Sequence, residues 1–302
     1  MSETRRIRGC EFFIEDLGDK STPALLYLHG GPGTGSYDFV LHQHALLTDD
    51  GVRLIAFDQR GVLRSSAISD EDEFGLMRLI EDCEAIRESL EIPKWSVLGH
   101  SFGGYLGLLY AGLYPGAVEK LIFENAAFDL GMSARSLLQG AALEYGALGN
   151  GEKSLQCLAL AYASPNMESA EIWDQFTDLT NDLGDRRNNL YIHRSNKNLF
   201  EQIIEQSPFS TEDWAKAGVH QQRLFKEGKV FSSALPPNTA VSHPTLLLKG
   251  KFDYVMGADQ IHRYMSANPN TGLVVFEESS HFPHIEEAGQ FANKVKAFML
   301  EN

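Results

Sequence analysis

The segment Gly99-His100-Ser101-Phe102-Gly103 follows the apolar run Trp95-Ser96-Val97-Leu98 and precedes a helix-like run from Gly104 to Tyr114. A serine at such a sharp strand-to-helix turn constrains the fold more than any other feature of the chain. Strand and helix backbones approach so closely there that a Cβ at either flanking glycine would collide, and the serine Oγ projects from a sheet edge. A bare G-x-S-x-G also occurs in ordinary glycine-rich turns. The flanking strand and helix make this one a candidate nucleophile.

Around it, short aliphatic runs alternate with helical periodicity up to about residue 129, the pattern of a mostly parallel sheet flanked by helices. Strands are predicted at Ala24 to Leu28, Val52 to Phe57, Trp95 to Leu98 and Val118 to Phe123. A helix is predicted from Leu76 to Leu90, where Leu76, Leu79, Ile80, Cys83, Ile86 and Leu90 recur on one face. From Leu130 to Pro237 the stretches Ala134 to Tyr145, Ser154 to Tyr162 and Ser169 to Leu179 read as helices, and Pro236-Pro237-Asn238 reads as a linker. Strands resume at Thr245 to Leu248 and Leu273 to Phe276, and Glu286 to Leu300 reads as a terminal amphipathic helix. The expected organisation is a core domain, residues 1–129 and 239–302, interrupted by a helical cap domain, residues 130–238.

The 302 residues are long enough for one such domain with an insertion. A formal charge of −15 argues against nucleic acid or an anionic membrane surface as a partner. The N-terminal segment lacks a secretory pattern, no apolar stretch is long enough to span a bilayer, and Cys10, Cys83 and Cys157 are widely spaced. A cytoplasmic protein with reduced core thiols is expected.

A serine hydroxyl needs a base to take its proton and a third group to orient that base. Asp253 follows the strand Thr245 to Leu248, and His281 follows the strand Leu273 to Phe276. In a parallel sheet both would stand on the edge that carries Ser101. His284 and His262 compete for the role of base, and Glu124 and Asp129 for that of acid. His42 and His44 have no accompanying ligand set and read as surface or packing residues. The oxyanion of a tetrahedral intermediate needs backbone donors, here the N–H of Phe102 and one from the loop His29-Gly30-Gly31-Pro32-Gly33. Pro32 has no N–H, so Gly31 is the choice.

These motifs resemble the α/β-hydrolases and, within them, the proline iminopeptidase family. His29-Gly30-Gly31-Pro32-Gly33 matches that family's HGGPG loop, and Asp58-Gln59-Arg60-Gly61 its DQRG segment. The chain departs from the family at Val62-Leu63-Arg64-Ser65, where a glycine is usual two residues on, and at His100 and Phe102, where the family has Gly and Trp. The resemblance implies an α/β-hydrolase fold with an inserted helical cap. It further implies a Ser101-His281-Asp253 triad that releases an N-terminal residue, preferentially proline, from short peptides, with neither cofactor nor metal.

An aminopeptidase must hold a free α-amino group with carboxylates, which in that family come from the cap, one of them after a tryptophan. Trp173-Asp174 is the nearest match, with Glu171, Glu201 and Glu205 as alternatives. Tyr145, Tyr162, Trp173, Phe176, Tyr191 and Trp214 read as cap core or as pocket walls. An esterase, lactonase or amidase acting on small acyl substrates is the alternative enzyme. A ligand-binding protein on a retired hydrolase scaffold would require a broken triad.

Overall fold

The computed structural model describes residues 2–49, 51–162, 167–196, 198–232 and 240–301. Its strands are β1 (Ser2–Ile7), β2 (Cys10–Leu17), β3 (Ala24–Leu28), β4 (Arg53–Phe57), β5 (Trp95–His100), β6 (Val118–Glu124), β7 (Thr245–Gly250) and β8 (Gly272–Phe276). They form one sheet in the order β1-β2-β4-β3-β5-β6-β7-β8. Every pairing from β4 through β3 to β8 is parallel, whereas β1 pairs with β2, and β2 with β4, antiparallel.

The β1–β2 hairpin is an addition to the elements expected from sequence. Its turn residues Arg8 and Gly9 both have positive φ, 48° and 79°, as a two-residue turn requires. The sequence hides it because β1 is an edge strand of alternating exposed and half-buried polar residues, with no apolar alternation to read.

Alternate strand residues face opposite layers, which is why both layers have a core. Leu25, Tyr27, Leu54, Ala56, Leu98 and Ile122 pack with Phe39 and Leu47 of α1 (Tyr37–Thr48) and with Phe291 and Val295 of α11 (Ala288–Leu300). Leu26, Leu28, Ile55, Val97, Leu121 and Phe123 pack with α2 (Leu76–Ser89), α3 (Phe102–Leu113) and Tyr264 of α9 (Ala258–Ala267). All three cysteines are buried and free. No helix among the described residues is long and apolar enough to cross a membrane.

Between β6 and β7 the regular elements among the described residues are helical: α4 (Leu130–Ala147), α5 (Gly151–Ala161), α6 (Ser169–Asn181), α7 (Leu199–Gln206), α8 (Thr211–Glu227) and short 3-10 turns. Asp129 caps α4 by accepting the Met132 N–H, and Ser210 and Asp213 form a reciprocal capping box on α8. The Pro236-Pro237-Asn238 linker lies outside the described residues.

The terminal helix expected from Glu286 to Leu300 is instead two, α10 (Pro283–Glu286) and α11. Glu287 leaves helical geometry at φ −133° and ψ 49°. Both glutamates turn back to the preceding loop, Glu286 accepting the Ser280 N–H and Glu287 the Ser279 hydroxyl. Charge-assisted bonds to that loop outweigh one continuous helix.

Gly103, in the first turn of α3, lies against β3. A Cβ there would stand 1.9 Å from the Leu28 carbonyl oxygen. Gly103→Ala is therefore expected to cost about 3 kcal/mol of stability through forced separation of α3 from the sheet, read as a lower urea midpoint.

Candidate active site

Ser101 occupies the turn between β5 and α3 with φ 54° and ψ −121°, a conformation that side chains rarely adopt. The turn is held by its own backbone: the Ser101 N–H donates to the Glu124 carbonyl at 3.0 Å, and the Ser101 carbonyl accepts from Gly104 and Ala127. Strain at this position is thus offset by three main-chain bonds.

Asp253 and His281 come from the loops after β7 and β8. His281 Nδ1 lies 2.8 Å from Asp253 Oδ1, with both residues buried. An ionised carboxylate can only accept, so Nδ1 carries the proton and Nε2 keeps its lone pair. Asp253 also accepts from the Val255 and Met256 N–H groups and from Lys249 Nζ at 2.9 Å. Burial alone would raise its pKa, but Lys249 and His281 outweigh that and hold it well below the usual carboxylate range. The lysine partner was not legible in sequence.

A second residue that sequence reasoning missed joins the two loops. Asn125, buried just after β6, donates from Nδ2 to the carbonyls of Ser280 and His281 at 2.9 and 3.0 Å, while its Oδ1 accepts the Gly250 N–H at 3.0 Å. Gly250 allows that approach, because a Cβ would sit 1.7 Å from the Ser280 carbonyl oxygen. The His281 N–H donates to the Tyr191 carbonyl, so a cap residue also fixes the imidazole's backbone.

The glycine loop after β3 passes directly over the nucleophile. A Cβ at Gly30 would lie 2.8 Å from Ser101 Cβ, and Gly31, at φ 107°, lines the same cavity as Phe102. The segment from Asp58 to Arg60 braces this loop. The Gln59 N–H donates to His29 Nε2 at 3.0 Å, and Gln59 Nε2 donates to the His29 carbonyl. Asp58 accepts from Ser36 and, in a two-pronged pair, from Arg64 Nε at 2.6 Å and Nη2 at 3.1 Å. Arg64 therefore has a structural role at the position where the chain departs from the resembling family.

His284 faces a different acid from His281. Its Nδ1 and backbone N–H both donate to Glu124, each at 2.9 Å to Oε1, and its Nε2 is 3.8 Å from Asp38. Burial would lower its pKa, but Glu124 and Asp38 lift it to about 10, so this imidazole is charged near neutrality. Between the two histidines lies His100, 4.6 Å from the His281 ring centroid and 5.2 Å from that of His284. Burial, with charged His284 beside it, holds the His100 pKa well below the usual imidazole range. His100, Glu124 and His284 offer donor atoms within 4.8 Å of one another, but His284 already commits Nδ1 to Glu124. The remaining rivals stand apart: Asp129 is the α4 cap and His262 is exposed on α9.

Ser101, His281, Gly31 and Phe102 open into a cavity of ≈ 510 Å³, a size suited to a small ligand. The cap supplies Trp173, Arg187, Tyr191, Phe200, Ile203 and Trp214 to its walls. Tyr145 and Phe176 belong to the buried core and Tyr162 is exposed. Asp174, Glu171, Glu201 and Glu205, the expected amine ligands, are all exposed and none lines the cavity. The acidic side chain on the cavity wall is Asp38, from α1.

Asn125→Ala removes three buried bonds at the loop junction. It is expected to cost about 3 kcal/mol of stability and to lower kcat about tenfold with KM little changed, measured by denaturation and steady-state kinetics. His284 has a folded pKa above its unfolded value of 6.5. Its contribution to stability is thus complete below about pH 6.5 and lost as pH rises through about 10. The unfolding free energy of the native chain is expected to fall across that window, and His284→Gln to flatten the slope.

The family model described as the α/β hydrolase fold matches residues 23–288. The putative proline iminopeptidase of Mycoplasma pneumoniae is 34% identical over 120 residues, 40% of this chain and 38% of that relative's length. The solved structure of a proline iminopeptidase-related protein from Thermus thermophilus superposes with a TM-score of 0.72 at 22% identity, covering 99% of this chain and 96% of that one. A meta-cleavage product hydrolase from Pseudomonas fluorescens IP01 superposes with a TM-score of 0.64 at 19% identity, covering 98% and 96%. With its sheet order, its serine elbow and a family match over most of its length, the chain belongs to the α/β hydrolase fold family.

Proposed function

We propose that the chain is a serine hydrolase that cleaves an ester or amide bond of a small substrate through an acyl-enzyme at Ser101. The observation that carries this reading is the buried Asp253–His281 pair, whose histidine lines the same cavity as the strained serine. His281 Nε2 takes the Oγ proton as Oγ bonds to the carbonyl carbon, and the carbonyl electrons move onto oxygen, facing the N–H groups of Gly31 and Phe102. Collapse restores the carbonyl and breaks the bond to the leaving group, which departs with the proton from Nε2. Water then repeats the sequence, releasing the acid and regenerating Ser101.

Release of an N-terminal residue, proline by preference, is the second reading, supported by the names of curated relatives that match part of the chain. It requires a carboxylate to hold the α-amino group, because a cation in a dry pocket needs an opposite charge. The four cap acids are exposed, and Asp38 already faces charged His284. The lining therefore favours small acyl esters and amides over an amine-bearing peptide.

A fluorophosphonate probe is expected to label the native protein and not Ser101→Ala, whose kcat should fall roughly a hundred-thousandfold. In a substrate panel, short acyl aryl esters should be cleaved faster than proline arylamide. Brisk cleavage of proline arylamide with no action on its N-blocked form, lost in Asp38→Asn, would move the assignment to the second reading.

A further inference from the structure

One cationic side chain of the cap, Arg187, reaches the cavity, and its surroundings do not neutralise it. It sits in the 3-10 segment Gly184–Leu190, half-buried, beside Asn188 and one turn before Tyr191. Among the described residues no carboxylate lies within ion-pair distance of it. Its contacts are the Asn181 Oδ1, a long 3.3 Å bond from Nη1, and the face of Phe176 with the guanidinium carbon 5.7 Å from the ring centroid. Neither supplies negative charge. The other cap arginine of this segment, Arg186, points elsewhere and pairs with Glu144 at 3.3 Å. A chain with a formal charge of −15 has carboxylates to spare, yet leaves this cavity-lining arginine without one among the described residues.

A second feature of the same cavity points the same way. Trp214, on α8, lines the wall, and its indole N–H is buried with no acceptor among the described residues. A buried donor without a partner carries its full desolvation penalty. In a cavity that Leu130, Leu137, Phe200 and Ile203 also line, such a donor asks for an acceptor on the ligand.

We infer that Arg187 is the specificity-determining residue of this site and that the substrate carries a carboxylate in addition to its scissile ester or amide. Arg187 forms a charge-assisted, two-pronged pair with that carboxylate, and the Trp214 N–H donates to a further substrate oxygen. The planar guanidinium matches a carboxylate in a way that a lysine does not, and the apolar walls strengthen the attraction. Arg187 lines the same cavity as Ser101, His281 and Tyr191, whose carbonyl holds the His281 N–H. A carboxylate seated on Arg187 thus lies within one small molecule's reach of the triad. The same arrangement repels a free amine, in keeping with the exposed positions of the cap acids.

This inference rests on the hydrolase reading of the cavity, and two measurements separate their failures. The first compares kcat/KM for para-nitrophenyl hydrogen glutarate with that for para-nitrophenyl pentanoate, and for para-carboxyphenyl pentanoate with that for phenyl pentanoate, which tells a carboxylate on the acyl side from one on the leaving group. The native enzyme is expected to favour the charged member of at least one pair by about tenfold, carried mainly in KM. Arg187→Gln should collapse that ratio about tenfold, and Arg187→Lys should recover only part of it. Equal use of both members of each pair, or a ratio that Arg187→Gln leaves unaltered, overturns the inference. The second measurement is calorimetric binding of glutarate to Ser101→Ala, with and without Arg187→Gln. Binding that depends on Arg187 supports the carboxylate site even where no ester is cleaved and the fluorophosphonate fails to label, in which case the hydrolase reading alone falls. Absence of glutarate binding together with a preference for neutral esters sinks the carboxylate site and leaves the hydrolase standing.

Discussion

The carboxylate of Asp253 is the charge around which this edge of the molecule is organised. A buried anion is tolerated only when donors surround it, and each of its donors does a second task. Lys249 also bonds the Asp253 carbonyl and so shapes the loop. Val255 and Met256 turn their N–H groups inward at the start of the segment that leads to α9. His281, by donating Nδ1–H, is fixed in the tautomer that leaves Nε2 basic. Remove the anion and the loop loses its centre while the imidazole loses its orientation.

Neutrality is managed separately a few ångströms below. His284 and Glu124 form a compensated ion pair, and His100, kept neutral by burial, separates it from His281. The His281 imidazole thus has the Asp253 anion on one side and neutral His100 on the other. Asn125 makes the two layers mechanically continuous, since it follows Glu124 in the chain and clamps the loops of both Asp253 and His281.

Much of this was legible because parallel sheets send their strand ends to one edge. Ser101, Asp253 and His281 each follow a readable apolar strand, so topology sends all three to one sheet edge. What identifies His281 over His284 is the acid that each faces, a three-dimensional fact that spacing alone does not encode. Asn125 and Lys249 were invisible for the opposite reason, being single polar residues whose importance lies wholly in what folds against them. The cap acids misled because adjacency in sequence is not adjacency on a helix. On α6, Ile172, Phe176 and Thr180 are buried, and Asp174, two residues on from Ile172, is turned to solvent. On α7 the same geometry buries Leu199 and Ile203 and exposes Glu201 and Glu205. Arg187 escaped notice because it lies in a 3-10 segment with no helical periodicity to follow.

Helix α8 grips the core through side chains spaced along one of its sides. Lys216 donates to the Leu63 carbonyl at 2.5 Å, His220 to that of Arg60 at 2.8 Å, and Arg223 to those of Ser69 and Asp72 at 2.5 and 2.7 Å. Four bonds to main-chain oxygens along one side of a helix form a seam, and one of the carbonyls it grips, that of Arg60, adjoins Gln59, which braces the glycine loop over Ser101. Helix α8 and the loop over Ser101 are thereby anchored on neighbouring residues of one stretch of backbone.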